Sequence, residues 1–197
     1  LKALRSIRYD LKRDHELFEK TIKVDQKQID DDLEVFNNIN SKTKILDFFK
    51  HLDALHDNSE YDDHFGNIAG DDYDFIDLNR VNYDAFLKFG NKDSIDDNKL
   101  KGNLDWLFEG LTFLYRAEVK ELRNNLIKIQ NFCTKIGYSK DYKDPIEDTF
   151  TPAYIKQFKA LYSNYTISRK RHILVKKQMI YMLDILPKMI DDSLKKM

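Results

Sequence analysis

The chain has 197 residues, of which 34% are charged and 42% hydrophobic, and its formal net charge is −1. This composition is typical of a globular protein with a sizeable core, and it excludes an intrinsically disordered chain. The single cysteine, Cys133, excludes both an internal disulfide framework and a multi-cysteine zinc site. Because Cys133 falls in an apolar helical pattern, we expect a buried, inert thiol.

No stretch reaches the roughly 18 apolar residues of a membrane span, and no signal peptide is visible. The chain begins at Leu1, not at a methionine, so we expect a preceding segment, such as an anchor or a signal, in the natural protein. Residues 21–74 carry fourteen Asp/Glu against five Lys/Arg, whereas residues 156–197 carry ten Lys/Arg against three Asp. Either oppositely charged helices pack together, or the basic end faces lipid headgroups or a nucleic acid.

The first predicted helix runs from Lys2 to about Ile39 and contains neither proline nor glycine. Apolar residues recur in it at steps that place them on one helical face. These residues are Leu4, Leu11, Phe18, Ile22, Ile29, Leu33 and Phe36. So narrow an apolar stripe cannot stabilise an isolated helix, so partner helices are required.

A second, shorter helix is predicted after Ser41, which is a plausible N-cap, with Ile45, Leu46, Phe49 and Leu52 facing inward. An acidic, glycine-containing loop follows at about 57–78. A third helix is predicted from Arg80 to Phe89.

The stretch after this third helix predicts a structural corner. Gly90 stands where a helix ends in a left-handed residue. Ser94 and Asp97 have the spacing of a capping box for the next helix, and Ile95 between them would pack inward. With Tyr83, these residues favour a helix–corner–helix over a ligand-binding loop.

A central helix is predicted from about Asp96 to Ile136. Its first apolar stripe is Leu100, Leu104, Leu107, Leu111 and Leu114, and its second is Tyr115, Val119, Leu122, Leu126, Ile129, Cys133 and Ile136. The second stripe is shifted by one residue, which predicts a local unwinding. Gly102 and Gly110 would each weaken the helix by about 1 kcal/mol if exposed.

A polar connection follows at about 138–151, and Thr151 with Pro152 predicts a new helix start. A last segment from Ser168 to Met197 repeats apolar residues every seven positions, and Pro187 should kink it. The pattern predicts an all-α protein. It would be an elongated antiparallel helical bundle with long first, central and last helices, forming one domain over residues 1–197.

The acidic stretch "HLDALHDNSEYDDHF" holds the only candidate metal ligands, His51, His56, Asp57 and His64. Zinc needs three or four converging ligands, and the five-residue spacing of His51 and His56 differs from the helical i, i+4 pair. The overlapping residues 62–74 are acidic enough for calcium, but they lack the ordered spacing of a calcium-binding loop. A solvated acidic loop is the preferred interpretation, and no metal or other cofactor is expected.

Two further patterns bear on nucleic acids. Arg8 and His15 are spaced like the Arg-x4-6-His pair of the helical HEPN ribonucleases, which they resemble, although Tyr9 stands where that family favours a small polar residue. The run "SRKRH" provides a basic patch of Arg169, Lys170 and Arg171, near tyrosines that could stack on bases. A solvated or inter-helix charged face is the preferred interpretation of the patch, since the chain as a whole is slightly acidic, so a nucleic-acid partner is not expected. No catalytic constellation is found.

Parts of the chain resemble an uncharacterised family of bacterial single-pass membrane proteins. The opening "LKALRSIRYDLKRDHELFEKTIKVDQKQID" is similar to the charged helix that follows that family's membrane anchor, through Leu4, Asp10 and Leu11. The match continues at Tyr83, Phe86, Leu87, Gly90, Ile95 and Leu100, and at the closing "FKALYSNYTISRKRHILVKKQMIYMLDILPKMIDDSL". The resemblance implies a helical domain outside the cytoplasm, on the periplasmic side, with its anchor absent from this sequence.

The sequence therefore predicts a non-enzymatic interaction or accessory domain of a membrane-tethered protein, with a protein partner or self-association. The first alternative is a ligand-sensing extracytoplasmic bundle that transmits small shifts to a membrane helix. The second alternative is a HEPN-like ribonuclease acting through Arg8 and His15.

Overall fold

The computed structural model describes residues 2–37, 78–89, 97–135 and 151–196. The helices in these ranges are α1 (Lys2–Asn37), α2 (Val81–Phe89), α3 (Asn98–Asp105), a π-helical segment (Trp106–Leu111), α4 (Thr112–Lys135) and α5 (Pro152–Lys196). Helix α3, the π-helical segment and α4 follow one another without a break. The described residues contain no strand. The protein is thus an all-α helical bundle, and the prediction of long first, central and last helices is confirmed.

Two compact units share the long helices. The first unit comprises Leu1–Gln26, Ile76–Ala117 and His172–Met197, and the second comprises Lys27–Phe75 and Glu118–Arg171. In the first unit Asn103 reaches Met189 and Tyr115 packs on His172, so the central helix and α5 run in opposite directions. In the same unit, Arg8 near the start of α1 meets Asp191 near the end of α5.

Aliphatic and aromatic side chains from all the described helices fill the core of the first unit. On α1 the predicted residues Leu4, Leu11 and Phe18 are buried, and so is Ile7, which the prediction omitted. The remaining core residues are Leu78, Tyr83, Phe86, Leu100, Leu104, Leu107, Phe108, Leu111, Tyr115, Ile173, Val175, Met179, Met182, Leu183, Leu186 and Ile190. Ile22, which was predicted to face inward, is only partly buried.

The core of the second unit is rich in aromatic rings. Phe158 lies between Phe132 and Tyr162, with ring centroids 5.9 and 6.1 Å away. The other buried apolar residues of this unit are Ile29, Val119, Leu122, Ile129 and Tyr165. Leu33 of α1, in the same unit, is partly buried, whereas the side chains of Phe36 and Cys133 lie outside the described residues. A buried hydrogen bond of 2.6 Å from Asn125 Nδ2 to Ser168 Oγ fixes α4 against α5.

Helix α5 begins where the sequence predicted. Thr151 Oγ1 accepts a hydrogen bond from the Tyr154 N–H, and Pro152 occupies the first helical position. The separate last segment predicted from Ser168 is part of the same helix, which continues for 45 residues. Pro187 lies inside this helix and is buried.

The start of α3 corrects the prediction for Asp97. This residue was expected three positions into a helix capped by Ser94, but its backbone is extended and it is itself the N-cap. Its carboxylate accepts hydrogen bonds from the N–H groups of Lys99 and Leu100, both at 3.0 Å. An aspartate satisfies these free amides directly, so Asp97 itself caps α3. Gly90, Ser94 and Ile95 themselves lie outside the described residues.

Candidate functional site

Two buried carboxylates of α1 hold the segment that leads into α2. Asp10 accepts hydrogen bonds from Asn79 Nδ2 at 3.0 Å and from Asn82 Nδ2 at 2.7 Å. Asp14, one helical turn later, accepts the Asn79 N–H at 2.8 Å and Arg13 Nη2 at 3.1 Å. Asn79 Oδ1 also accepts a hydrogen bond from the Val81 N–H, a free amide in the first turn of α2. The Asp10–Asp14 pair therefore fixes both the position and the start of α2.

Burial governs the titration of Asp14. Removal from water raises the pKa of this carboxyl above its ordinary value of 3.8. The hydrogen bonds from Asn79 and Arg13 pull the pKa down, and the neighbouring charge of Asp10 pushes it up again, so the net shift is upward. The surroundings of Asp14 thus disfavour the ionised form of its carboxyl group.

Arg80 forms hydrogen bonds with the π-helical segment. Its Nη1 donates to the Phe108 carbonyl at 2.8 Å, and its Nη2 donates to Glu109 Oε1 at 2.5 Å and to Asp84 Oδ1 at 3.2 Å. Burial alone would lower the pKa of Arg80, but the carboxylates of Glu109 and Asp84 outweigh it and raise the pKa. The guanidinium therefore remains a permanent cation that links α2 to the central helix.

Tyr83 is a second anchor in the same region. Its ring stacks on Phe108 with centroids 4.2 Å apart, and its hydroxyl donates to Asp105 Oδ1 at 2.6 Å. Burial, followed by the hydrogen bond to Asp105, raises the pKa of the phenol. Of the predicted corner residues, Tyr83 is thus a packed core residue whose hydroxyl stays protonated.

The same stretch of the central helix exposes large apolar side chains. Trp106 is 48% exposed, Phe113 71% and Leu114 39%, all within nine residues of sequence. We call these three residues the Trp106–Leu114 face. Gly110 lies against the Trp106 indole, because a Cβ built at residue 110 would overlap the atoms Cε3 and Cζ3 of that ring. Exposed aromatic residues grouped on one helix are typical of an association surface.

A cleft of about 280 Å³ lies between α1 and α5 in the first unit. Its α1 wall consists of Lys12, His15 and Glu16. Its α5 wall consists of Leu183, Asp184, Pro187, Lys188 and Asp191. Lys188 Nζ pairs with Asp184 at 2.9 Å, and Arg8 Nε pairs with Asp191 at 2.7 Å. We call this feature the α1–α5 cleft.

The residues expected for a HEPN-like ribonuclease occupy this neighbourhood. His15 lines the α1–α5 cleft, and Arg8 lies two turns earlier on α1, where Asp191 neutralises its charge. The structure therefore places the pair on one side of α1, with the arginine already engaged by a carboxylate of the same chain.

The three residues of the basic patch have different surroundings within the second unit. Arg169 is buried, and its guanidinium lies 5.5 Å from the centroid of the Tyr165 ring. Arg171 pairs with Glu118 at 3.3 Å, and Lys170 is exposed. Each side chain has its own environment, so the run does not present three side chains together to solvent.

The candidate metal ligands His51, His56, Asp57 and His64 lie outside the described residues. Within the described ranges, no group of three His, Cys, Asp or Glu side chains could hold a metal ion. Among the helices of those same ranges, none has both the length and the apolar character needed to cross a lipid bilayer.

Sequence reasoning missed the carboxylate pair and its asparagine partners. Asp14 lies between Leu11 and Phe18 on the buried side of α1, and a charged residue in an apolar stripe signals a buried, paired group. Its partner Asn79 is 65 residues away along the chain, so the signal could identify the carboxylate but not its partner.

No family model, curated protein or solved structure matches this chain. The function therefore has to be inferred from the Trp106–Leu114 face, the α1–α5 cleft and the groups that support them.

Proposed function

We propose that this protein is a non-enzymatic helical interaction module, and that its contact surface is the Trp106–Leu114 face. The supporting observation is the exposure of Trp106, Phe113 and Leu114 within one short stretch of a helix that Arg80 and Tyr83 hold in place. Burying such side chains against a partner is favourable by about 25 cal/mol per Å² of apolar surface. A helix that Arg80 and Tyr83 already hold in place loses little conformational entropy when its exposed side chains are covered.

The partner that fits this face is a second copy of the chain. In an antiparallel pairing with its two-fold axis at Gly110, the Trp106 of one copy meets the Leu114 of the other.

Sedimentation velocity over about a hundredfold range of concentration tests this proposal. Wild-type protein should move from monomer to dimer as its concentration rises, and Phe113→Asp should remain monomeric. Tyr181→Asp is the matched control, because Tyr181 is also an exposed aromatic residue, 64% accessible, but lies on α5. A wild-type protein that stays monomeric throughout, or a dimer that Phe113→Asp does not weaken, would contradict the second-copy assignment.

The proposal includes a membrane tether and a location outside the cytoplasm, on the periplasmic side. Its support is the resemblance of residues 1–30, of the stretch around Tyr83 and Gly90, and of the closing helix to a membrane-anchored family. Protease added to intact spheroplasts should digest the domain of the natural full-length protein, which should also sediment with membranes. Protection from protease until the cells are lysed, or recovery in the soluble fraction, would remove this part of the proposal.

A further inference from the structure

The α1 wall of the α1–α5 cleft carries three polar side chains that are not engaged by the rest of the described structure. Lys12, His15 and Glu16 lie at i, i+3 and i+4, which places them on one side of α1. None of the three forms an ion pair or a side-chain hydrogen bond with another residue in the described ranges. They therefore present a cation, an imidazole and a carboxylate to whatever enters the cleft.

The α5 wall has the opposite character, because its charges are already paired. Asp184 is bound by Lys188, and Asp191 is bound by Arg8. Between these pairs lie the buried side chains of Leu183 and Pro187, which form an apolar floor. Proline has no N–H, so Pro187 cannot supply the helical hydrogen bond that the Leu183 carbonyl would otherwise receive.

The charges around the cleft define what it can hold. The cations Lys12, Lys188 and Arg8 balance the carboxylates Glu16, Asp184 and Asp191 in number. A ligand with one net charge would leave an opposing side chain of the α1 wall without a partner, which costs binding free energy. A ligand with separate positive and negative groups would pair with both the cation and the carboxylate of the α1 wall.

We propose that the α1–α5 cleft binds a small zwitterion of the α-amino acid class. The ligand carboxylate meets Lys12 and His15, the ligand ammonium meets Glu16, and an apolar side chain packs on Leu183 and Pro187. The cleft volume of about 280 Å³ is just below the range of drug-sized ligand sites, which suits a ligand as small as a single amino acid. This assignment is independent of the Trp106–Leu114 face.

Titration with L-valine, followed by amide and imidazole NMR signals, tests this assignment. L-valine should cause saturable shifts in residues 12–16 and 183–191, including the imidazole signals of His15, because its carboxylate approaches that ring. N-acetyl-L-valine lacks the ammonium and L-valinamide lacks the carboxylate, so each should bind at least about tenfold more weakly, a loss of about 1.4 kcal/mol. The His15→Gln variant identifies the His15 imidazole signal among the five histidines.

Two lysine variants distinguish a specific contact in the cleft from a general effect of the positive charge on α1. Lys12→Ala should weaken L-valine binding at least about tenfold. Lys20→Ala removes an exposed lysine of the same helix outside the cleft and should change nothing. The assignment is overturned if L-valine gives no saturable shift at the cleft, if the blocked analogues bind as well as L-valine, or if both lysine variants weaken binding equally. Because dimer formation is measured separately, either proposal can fail without the other.

Discussion

The guanidinium of Arg80 and the carbonyl oxygen of Phe108 lie 2.8 Å apart, across 28 residues of sequence. In an α-helix that carbonyl would accept the N–H of Thr112, but this N–H is directed to the carbonyls of Leu107 and Glu109. Thr112 Oγ1 also donates to the Leu107 carbonyl at 3.1 Å. Arg80 thus supplies a donor at a point where the π-helical geometry redirects the usual one, and α2 and the π-helical segment stabilise each other.

Replacing Arg80 should destabilise the protein. Arg80→Ala removes a charge-assisted hydrogen bond to Phe108 and should lower the free energy of unfolding by about 1.5–3 kcal/mol, measured by urea denaturation. Arg80→Lys should recover only part of this loss, because a single ammonium cannot reproduce the planar fork that reaches Phe108, Glu109 and Asp84 together.

Arg5→Ala is the matched control for Arg80, since Arg5 is an exposed arginine of α1. Its effect should stay within about 0.5 kcal/mol, as expected for a surface substitution. If Arg80→Ala lowered the free energy of unfolding no more than Arg5→Ala, the hydrogen bonds between Arg80 and the π-helical segment would not stabilise the fold.

The two described glycines of the central helix should respond differently to alanine. Nothing lies within 4 Å of a Cβ built on Gly102, so Gly102→Ala should raise the free energy of unfolding by about 0.5–1 kcal/mol through its better helix propensity. Gly110→Ala would collide with the Trp106 ring and force it to move. Its net effect should be smaller than that of Gly102→Ala, or destabilising.

Intrinsic fluorescence reports on Gly110→Ala directly, because Trp106 is the only tryptophan. The emission maximum should shift in Gly110→Ala and remain unchanged in Gly102→Ala. Identical spectra for the two variants would mean that Gly110 does not support the indole.

The raised pKa of Asp14 has a defined sign for stability. The folded-state pKa is above the unfolded value, so this group stabilises the fold fully below pH 3.8, and its contribution is lost as pH rises through the higher folded-state pKa. Wild-type protein should therefore lose stability relative to Asp14→Asn as pH increases through this window. Urea titrations of both proteins at a series of pH values measure the difference.

Asp97→Asn is the matched control for Asp14, since Asp97 is a half-buried carboxylate at a helix N-cap and asparagine is an equally good cap. This variant keeps Asp14, so wild-type protein should not lose stability relative to Asp97→Asn as pH increases through the same window. A wild-type profile that rises relative to Asp14→Asn over the same window would contradict the burial argument.

The sequence predicts local features of this fold well because their causes are local. The α1 stripe through Leu4, Leu11 and Phe18 and the α5 start at Thr151 and Pro152 follow from periodicity and cap chemistry. The register shift of the central helix was also visible, but it was located at Leu114 and Tyr115. The structure absorbs it earlier, in the π-helical segment Trp106–Leu111.

The candidate sites depend on relationships that local patterns do not contain. The hydrogen bond from Asn79 to Asp14 and the ion pair of Arg8 with Asp191 join residues far apart in sequence, which only the tertiary arrangement defines. Trp106 and Phe113 resemble core residues in composition, and only the packing of the opposite side of the helix shows that they remain exposed.

The central claim, pairing through the Trp106–Leu114 face, is tested most directly by pulsed electron spin resonance on singly labelled protein. With Cys133→Ser as background, a spin label at residue 99 lies eleven residues from Gly110, and one at residue 102 lies eight residues away. Antiparallel pairing about Gly110 predicts distances between copies of about 33 and 24 Å, at 1.5 Å per residue. Helices packed in parallel would instead give equal, short distances of about 10 Å at both positions, which would contradict antiparallel pairing. The absence of any distance between copies would contradict pairing altogether.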